Sequence, residues 1–87
     1  MRIALDYDGT YTADPAFWGA VKALAEERGH EMFFVTKRGE SNKGFLDVAG
    51  WQAHHADRIA KMRFCREEGI RVDIWIDDDP INIFEDR

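Results

Sequence analysis

Three short apolar runs, each closing on acids or a hydroxyl, constrain this chain more than any other feature. "RIALDYD" opens it, "EMFFVT" follows a helical stretch, and "VDIWIDDDP" comes near the end. Ile3, Ala4 and Leu5 are apolar at consecutive positions. Both faces of that strand must therefore be covered, as in the centre of a parallel sheet. Between the first two runs, Asp14 and Pro15 read as an N-cap and first helical residue. Phe17, Val21, Leu24 and Ala25 recur at helical spacing, and Gly29 supplies the stop. Residues 57–69 read as a second helix, with Ile59, Met62 and Cys65 inward and Gly69 ending it. The middle of the chain is expected to hold a brief helix at 41–48 and a short strand at 51–54. A last helical piece follows Pro80.

Strand and helix in alternation predict an α/β fold, a small parallel sheet covered by helices, with right-handed crossovers. Ligands in such folds collect at the carboxyl ends of the strands. The polar residues fall there: Asp6 and Asp8 after the first run, Thr36 after the second, Asp77, Asp78 and Asp79 after the last. The 87 residues suffice for one domain, 1–87, with a small core helped by six Phe, three Trp and two Tyr. One cysteine permits no internal disulfide and fits a reducing compartment. With no long apolar run and no signal-peptide pattern, a cytoplasmic location without membrane association is expected. The net charge of −5 argues against a broad nucleic-acid-binding face. A bound divalent cation would still admit a phosphorylated substrate.

Asp6 and Asp8 alternate around Tyr7, so they share one side of the strand, about 6–7 Å apart. Two like charges at about 5 Å repel by about 3 kcal/mol at an effective dielectric of about 20. Three or more acids converging at one sheet edge need a cation, and an all-oxygen donor set suits Mg²⁺. A carboxylate left over can attack phosphorus while its neighbour moves the proton. An EF-hand loop is excluded, because its sixth and twelfth positions, counted from Asp6, hold Tyr11 and Phe17. A receiver domain lacks the glycine-threonine turn that comes next here.

"DYDGTYT" closely resembles the first motif of the haloacid dehalogenase (HAD) superfamily, Asp-x-Asp-Gly-Thr-x-Thr after an apolar strand. "FFVTKR" resembles its second motif, Lys61 lies sixteen residues before Asp77 like the third-motif lysine, and "WIDDDP" resembles the acidic fourth. The resemblance implies a three-layer α/β/α, Rossmann-like fold and a Mg²⁺-dependent phosphatase working through an aspartyl-phosphate. Asp6 would be the nucleophile. Asp8 would protonate the leaving oxygen, activate water, and contact the metal through its backbone carbonyl. Thr36 would hydrogen-bond a phosphoryl oxygen, and Lys61 would neutralise phosphoryl group and nucleophile, with Lys37 and Lys43 as competitors for that role. Asp78, then Asp77, would complete the metal ligands with Asp6. Gly9 and Thr10 would frame the phosphate, and Lys37 and Arg38 would reach the substrate.

About six residues separate Asp8 from the first helix. This implies a member without the usual cap domain, whose open site a large substrate, a protein partner or a second copy would cover. "VTKRGES" with "IDDDP" favours a nucleotide or polynucleotide-end phosphate as substrate. The alternative is a module that keeps the phosphate and metal pocket but turns over little, as a regulatory or complex subunit. His54 and His55 are expected to face solvent, Trp51 and Trp75 to pack, and Trp18 to line the open site.

Overall fold

The computed structural model describes residues 1–39 and 44–86. Four strands, β1 (Arg2–Leu5), β2 (Glu31–Thr36), β3 (Ala53–His55) and β4 (Ile74–Ile76), form one sheet in the order β3-β2-β1-β4. Every pairing is parallel. β1 is interior, flanked by β2 and β4, and Ala4 and Leu5 are almost fully buried. That matches its unbroken apolar run.

Alternate residues serve the two faces of the sheet. Ile3, Leu5, Met32 and Phe34 point to one, where helix α1 (Pro15–Glu27) brings Trp18, Val21 and Ala25. Ala4, Phe33 and Val35 point to the other, where helix α2 (Lys61–Glu67) brings Phe64 and Cys65. A short helix α3 (Ile81–Phe84) comes after β4 and packs beside α2. Burying Leu5 and Phe34 completely contributes about 1.5–3 kcal/mol each. No helix among the described residues is long and apolar enough to cross a membrane.

The chain winds outward from β1 through β2 to β3, then returns past both to place β4 on the opposite side of β1. The direction of winding therefore reverses between β1 and β4. Crossover loops part at such a point and leave a crevice at the carboxyl ends of the two strands. Asp6 ends one of them, and Asp77 and Asp78 end the other.

α1 begins as expected. The Asp14 carboxylate accepts a hydrogen bond from the Phe17 amide at 3.2 Å, and Pro15 is the first helical residue. Its inward stripe differs from the expected one. Val21 and Ala25 face the sheet as expected, but Phe17 and Leu24 are exposed, and Trp18 faces inward with the first two. The Trp18 indole N–H donates to the Thr10 carbonyl at 3.0 Å, which turns that face of the helix inward.

α2 starts at Lys61, four residues after the beginning expected from periodicity. Asp57 sits at φ +55° and Ala60 is extended (φ −50°, ψ 132°), so 57–60 form a bend rather than a helical turn. Ile59 and Met62 are only half-buried, while Cys65 is buried. The short middle strand lies at Ala53–His55, displaced towards the C-terminus from the expected 51–54. Of the helix expected at 41–48, residues 41–43 lie outside the described residues, and 44–48 are irregular.

Candidate functional site

The sharp exit from β1 is made by the chain folding back on itself. Tyr11 and Thr12 amides donate to the Asp6 and Tyr7 carbonyls at 3.2 and 3.1 Å. Gly9 takes φ +85°, and a Cβ there would lie 2.6 Å from Asp78 Oδ2. Only glycine lets the first loop approach the fourth strand so closely. Thr10 closes the gap. Its hydroxyl oxygen accepts the Asp78 amide at 3.1 Å and lies 3.1 Å from Asp6 Oδ2 and 2.9 Å from Asp78 Oδ1, to which it donates.

Lys61 is the centre of charge. It is the first residue of α2, and only 1% of it is exposed. Its Nζ lies 2.7 Å from Asp6 Oδ1 and 2.6 Å from Asp77 Oδ2. The other oxygen of Asp77 accepts the Asp79 amide at 3.0 Å, tying the turn after β4 to the same group. A buried lysine placed between two carboxylates is tolerable because each pairing offsets part of the desolvation cost. Of the competing lysines, Lys37 reaches the Glu85 carbonyl at 3.1 Å, and Lys43 lies outside the described residues.

Asp6, Asp77 and Asp78 each offer a carboxylate oxygen, and these oxygens lie within 4.8 Å of one another. These three could hold a metal ion. Asp6 is buried, and that burial pushes its carboxyl from 3.8 up to about 6, against the opposing pull of Lys61. Asp78 moves the other way, held below the usual carboxylate range by hydrogen bonds from the Asp6 carboxyl and the Thr10 hydroxyl. Asp6 and Asp78 are thus pushed in opposite directions, Asp6 holding its proton more strongly and Asp78 less.

Asp8 stands apart from this cluster. Its carboxylate forms a two-pronged pair with Arg38: Nε to Oδ2 at 2.8 Å and Nη2 to Oδ1 at 2.8 Å. The hydrogen bond to Asp8 raises the Arg38 guanidinium above its ordinary value. The guanidinium also lies 5.1 Å over the Tyr7 ring. Thr36 is buried at the end of β2, and its hydroxyl oxygen accepts the Arg38 amide at 3.1 Å.

No family model, curated protein or solved structure matches the chain. What the site can do must come from its own geometry.

A cleft of about 300 Å³ opens over these groups, lined by Asp6, Asp8, Thr36, Lys37, Arg38, Asp78, Asp79 and Asn82. Acids from β1 and β4 face two cations from the β2 loop across it. The structure therefore gathers Asp6, Asp8, Thr36, Lys37, Arg38 and Asp78 around one space, with Lys61 and Asp77 directly behind Asp6. Gly9 and Thr10 do not line it. Gly9 donates its amide to Thr12, and the Thr10 hydroxyl is taken up in joining Asp6 to Asp78.

Sequence reasoning missed Asn82, which faces the cleft from the first turn of α3 and lies 3.3 Å from Asp79 Oδ2. Its signal was the position two residues past Pro80, where the helix start aims a side chain back at the strand ends. Trp18 does not line the cleft; it packs against the core beneath the first loop. His54 and His55 are half-buried in β3 rather than facing solvent, and burial lowers both below the usual imidazole value. His55 Nε2 accepts the Leu46 amide at 2.9 Å, and Trp51 stacks on Phe34 at 4.2 Å.

Proposed function

We propose that the chain is a metal-dependent phosphomonoester hydrolase of HAD type, with Asp6 as nucleophile. The observation that carries this reading is the buried Lys61 ammonium bridging Asp6 and Asp77 at the sheet's winding reversal, with Asp78 alongside. In this reading α1 and α2 on opposite faces make a three-layer α/β/α, Rossmann-like fold. The six residues between Asp8 and α1 form a tight turn, so no cap domain is inserted there.

Asp6, Asp77 and Asp78 fit a hard divalent cation, because all three offer oxygen within 4.8 Å of one another and one ammonium, Lys61, faces them. Mg²⁺ bound there would neutralise charge on the phosphoryl oxygens. Lys61 does the same from the protein side and holds the Asp6 carboxylate for in-line attack. Asp6 forms a bond to phosphorus as the bond to the leaving oxygen breaks, and Asp8 gives that oxygen its proton. Asp8 then takes a proton from the water that attacks phosphorus, releasing phosphate and restoring Asp6. The Thr36 oxygen already accepts the Arg38 amide, which leaves its hydroxyl hydrogen to donate to a phosphoryl oxygen.

The cleft is at the small end of ligand sites. With Lys37 and Arg38 on one wall, it suits the phosphate of a nucleotide or a polynucleotide end better than a bulky ester. Hydrolysis of p-nitrophenyl phosphate with and without Mg²⁺, in wild type and Asp6→Asn, tests the reading. Mg²⁺-dependent turnover that Asp6→Asn abolishes is expected. Turnover that survives Asp6→Asn would sink the reading.

One observation favours a second reading, a phosphate- and metal-binding module that turns over little. Asp8, the proton carrier, is closed on Arg38 rather than poised over the cleft. Binding of phosphate and Mg²⁺ without turnover in the same assay would select it.

A further inference from the structure

The pairing of Asp8 with Arg38 has a direct consequence for phosphate binding, one that rests on the hydrolase reading of the site. Both groups line the cleft. The guanidinium fork is engaged by the two carboxylate oxygens at 2.8 Å each, in the parallel geometry that Arg also uses for phosphate. The pair is open to water, with 24% of the Arg38 side chain and 40% of the Asp8 side chain exposed. Exposed pairs of this kind are held weakly enough to exchange partners. The backbone at Arg38 is fixed by Thr36, and the side chain lies over Tyr7, so the guanidinium moves on a stationary base.

We propose that Asp8 and the substrate phosphate compete for the Arg38 fork, so that an arriving dianionic phosphomonoester takes the guanidinium and releases the Asp8 carboxylate. The freed carboxylate takes up a proton from water at the open mouth of the cleft and can then give it to the leaving oxygen. Asp8 acts as a built-in occupant of the phosphate site. Arg38 is then a positioning residue for Asp8 at rest and a phosphate-binding residue once the cleft is filled. The exchange conserves charge pairing: one carboxylate–guanidinium contact is lost and one phosphate–guanidinium contact is gained. A phosphodiester, with half the charge, competes poorly for the same fork, which favours terminal phosphates.

The test is a double-mutant cycle read by calorimetric binding of inorganic phosphate in the presence of Mg²⁺. Asp8→Asn removes the competitor and should tighten phosphate binding by about fivefold, the size of an exposed ion pair. Arg38→Gln should weaken binding. In the Arg38→Gln background Asp8→Asn should give no gain beyond that from removing one negative charge, so the two changes are non-additive. An equal gain in both backgrounds means that Asp8 acts on phosphate only through its charge, and overturns the exchange. So does an absence of phosphate binding in every variant. Turnover by wild type is measured separately. Turnover with an additive cycle removes the exchange and leaves the hydrolase; a non-additive cycle without turnover keeps the exchange and removes the hydrolase.

Discussion

The two ends of the β1 strand carry similar ion pairs in opposite surroundings. At its amino end Arg2 meets Glu31 at 2.6 Å, with 65% of the Glu31 side chain exposed, and its neighbour Asp73 pairs loosely with Arg71 at 3.7 Å. At its carboxyl end Lys61 meets Asp77 at the same 2.6 Å, but with 1% and 2% exposed. Distance is therefore no guide to what each pair does. The outer pairs sit in high dielectric and contribute about 0–1 kcal/mol each. The inner group has given up its water, so it costs stability to assemble and costs more when a single partner is removed. A small chain has little reserve for such a group. That expense is concentrated at the winding reversal of the sheet, where the candidate site lies.

The largest expected effect breaks the inner pair. Lys61→Met leaves the buried carboxylates of Asp6 and Asp77 without their cation and should destabilise the fold by about 3–5 kcal/mol. Urea unfolding measures it, and saturating Mg²⁺ should recover part of the loss by replacing the missing charge. A loss below about 1 kcal/mol would place the two ends of the strand on the same footing.

A second change sharpens the comparison by loosening the inner acids without uncovering a charge. Thr10→Val removes the hydroxyl joining Asp6 to Asp78 and should lower Mg²⁺ affinity by about 10–100-fold, whereas Thr10→Ser should retain it. Calorimetric Mg²⁺ titration separates the two variants.

pH distinguishes the ends as well. Asp6 has its proton affinity raised from 3.8 to about 6 on folding, so the folded chain holds more protons than the unfolded chain between those values. Its contribution to stability is therefore favourable below 3.8 and is lost as pH rises to about 6. Above that, Asp6 is an acid in excess, because Lys61 keeps Asp77 as its partner, and Asp6→Asn should stabilise the fold by about 0.5–2 kcal/mol in urea unfolding. The melting shift produced by Mg²⁺ should grow between about pH 5 and about pH 7, because the cation needs Asp6 ionised. A Mg²⁺ shift independent of pH would show that Asp6 is no ligand.

The smallest effect belongs to the amino end. Arg2→Gln, which breaks the pair with Glu31, should change stability by less than about 1 kcal/mol, and salt at about 0.5 M should erase much of that difference.

Much of the fold was readable in the chain because local rules and tertiary needs agree there. β1 had to be interior, being apolar on both faces, and Asp14-Pro15 started α1 where an N-cap and a first-turn proline should. Where the fold departed from the pattern, a specific contact overrode it. Phe17 and Leu24 have the spacing of an inward stripe, but the Trp18 indole bond to Thr10 turned the helix away from them. The bend at 57–60 shortened α2, and the consequence is functional: Lys61 became a first-turn residue aimed at the strand ends rather than one lysine along a helix face.

The same division runs through the candidate site. The order of residues along the chain was enough to put acids at strand ends, since side chains alternate on a strand and a close approach calls for a glycine turn. The resemblance to the HAD motifs, rather than residue order alone, marked Lys61 and Arg38 as cations of interest. It also paired Lys61 with Asp6, 55 residues away, but that Lys61 holds Asp77 as well and that Arg38 holds Asp8, 30 residues away, was beyond its reach. Those partnerships arise from strand order, helix start and burial together. Only the folded sheet brings β1 beside β4, removes the water from Lys61, and leaves Asp8 closed on Arg38 at the mouth of the cleft.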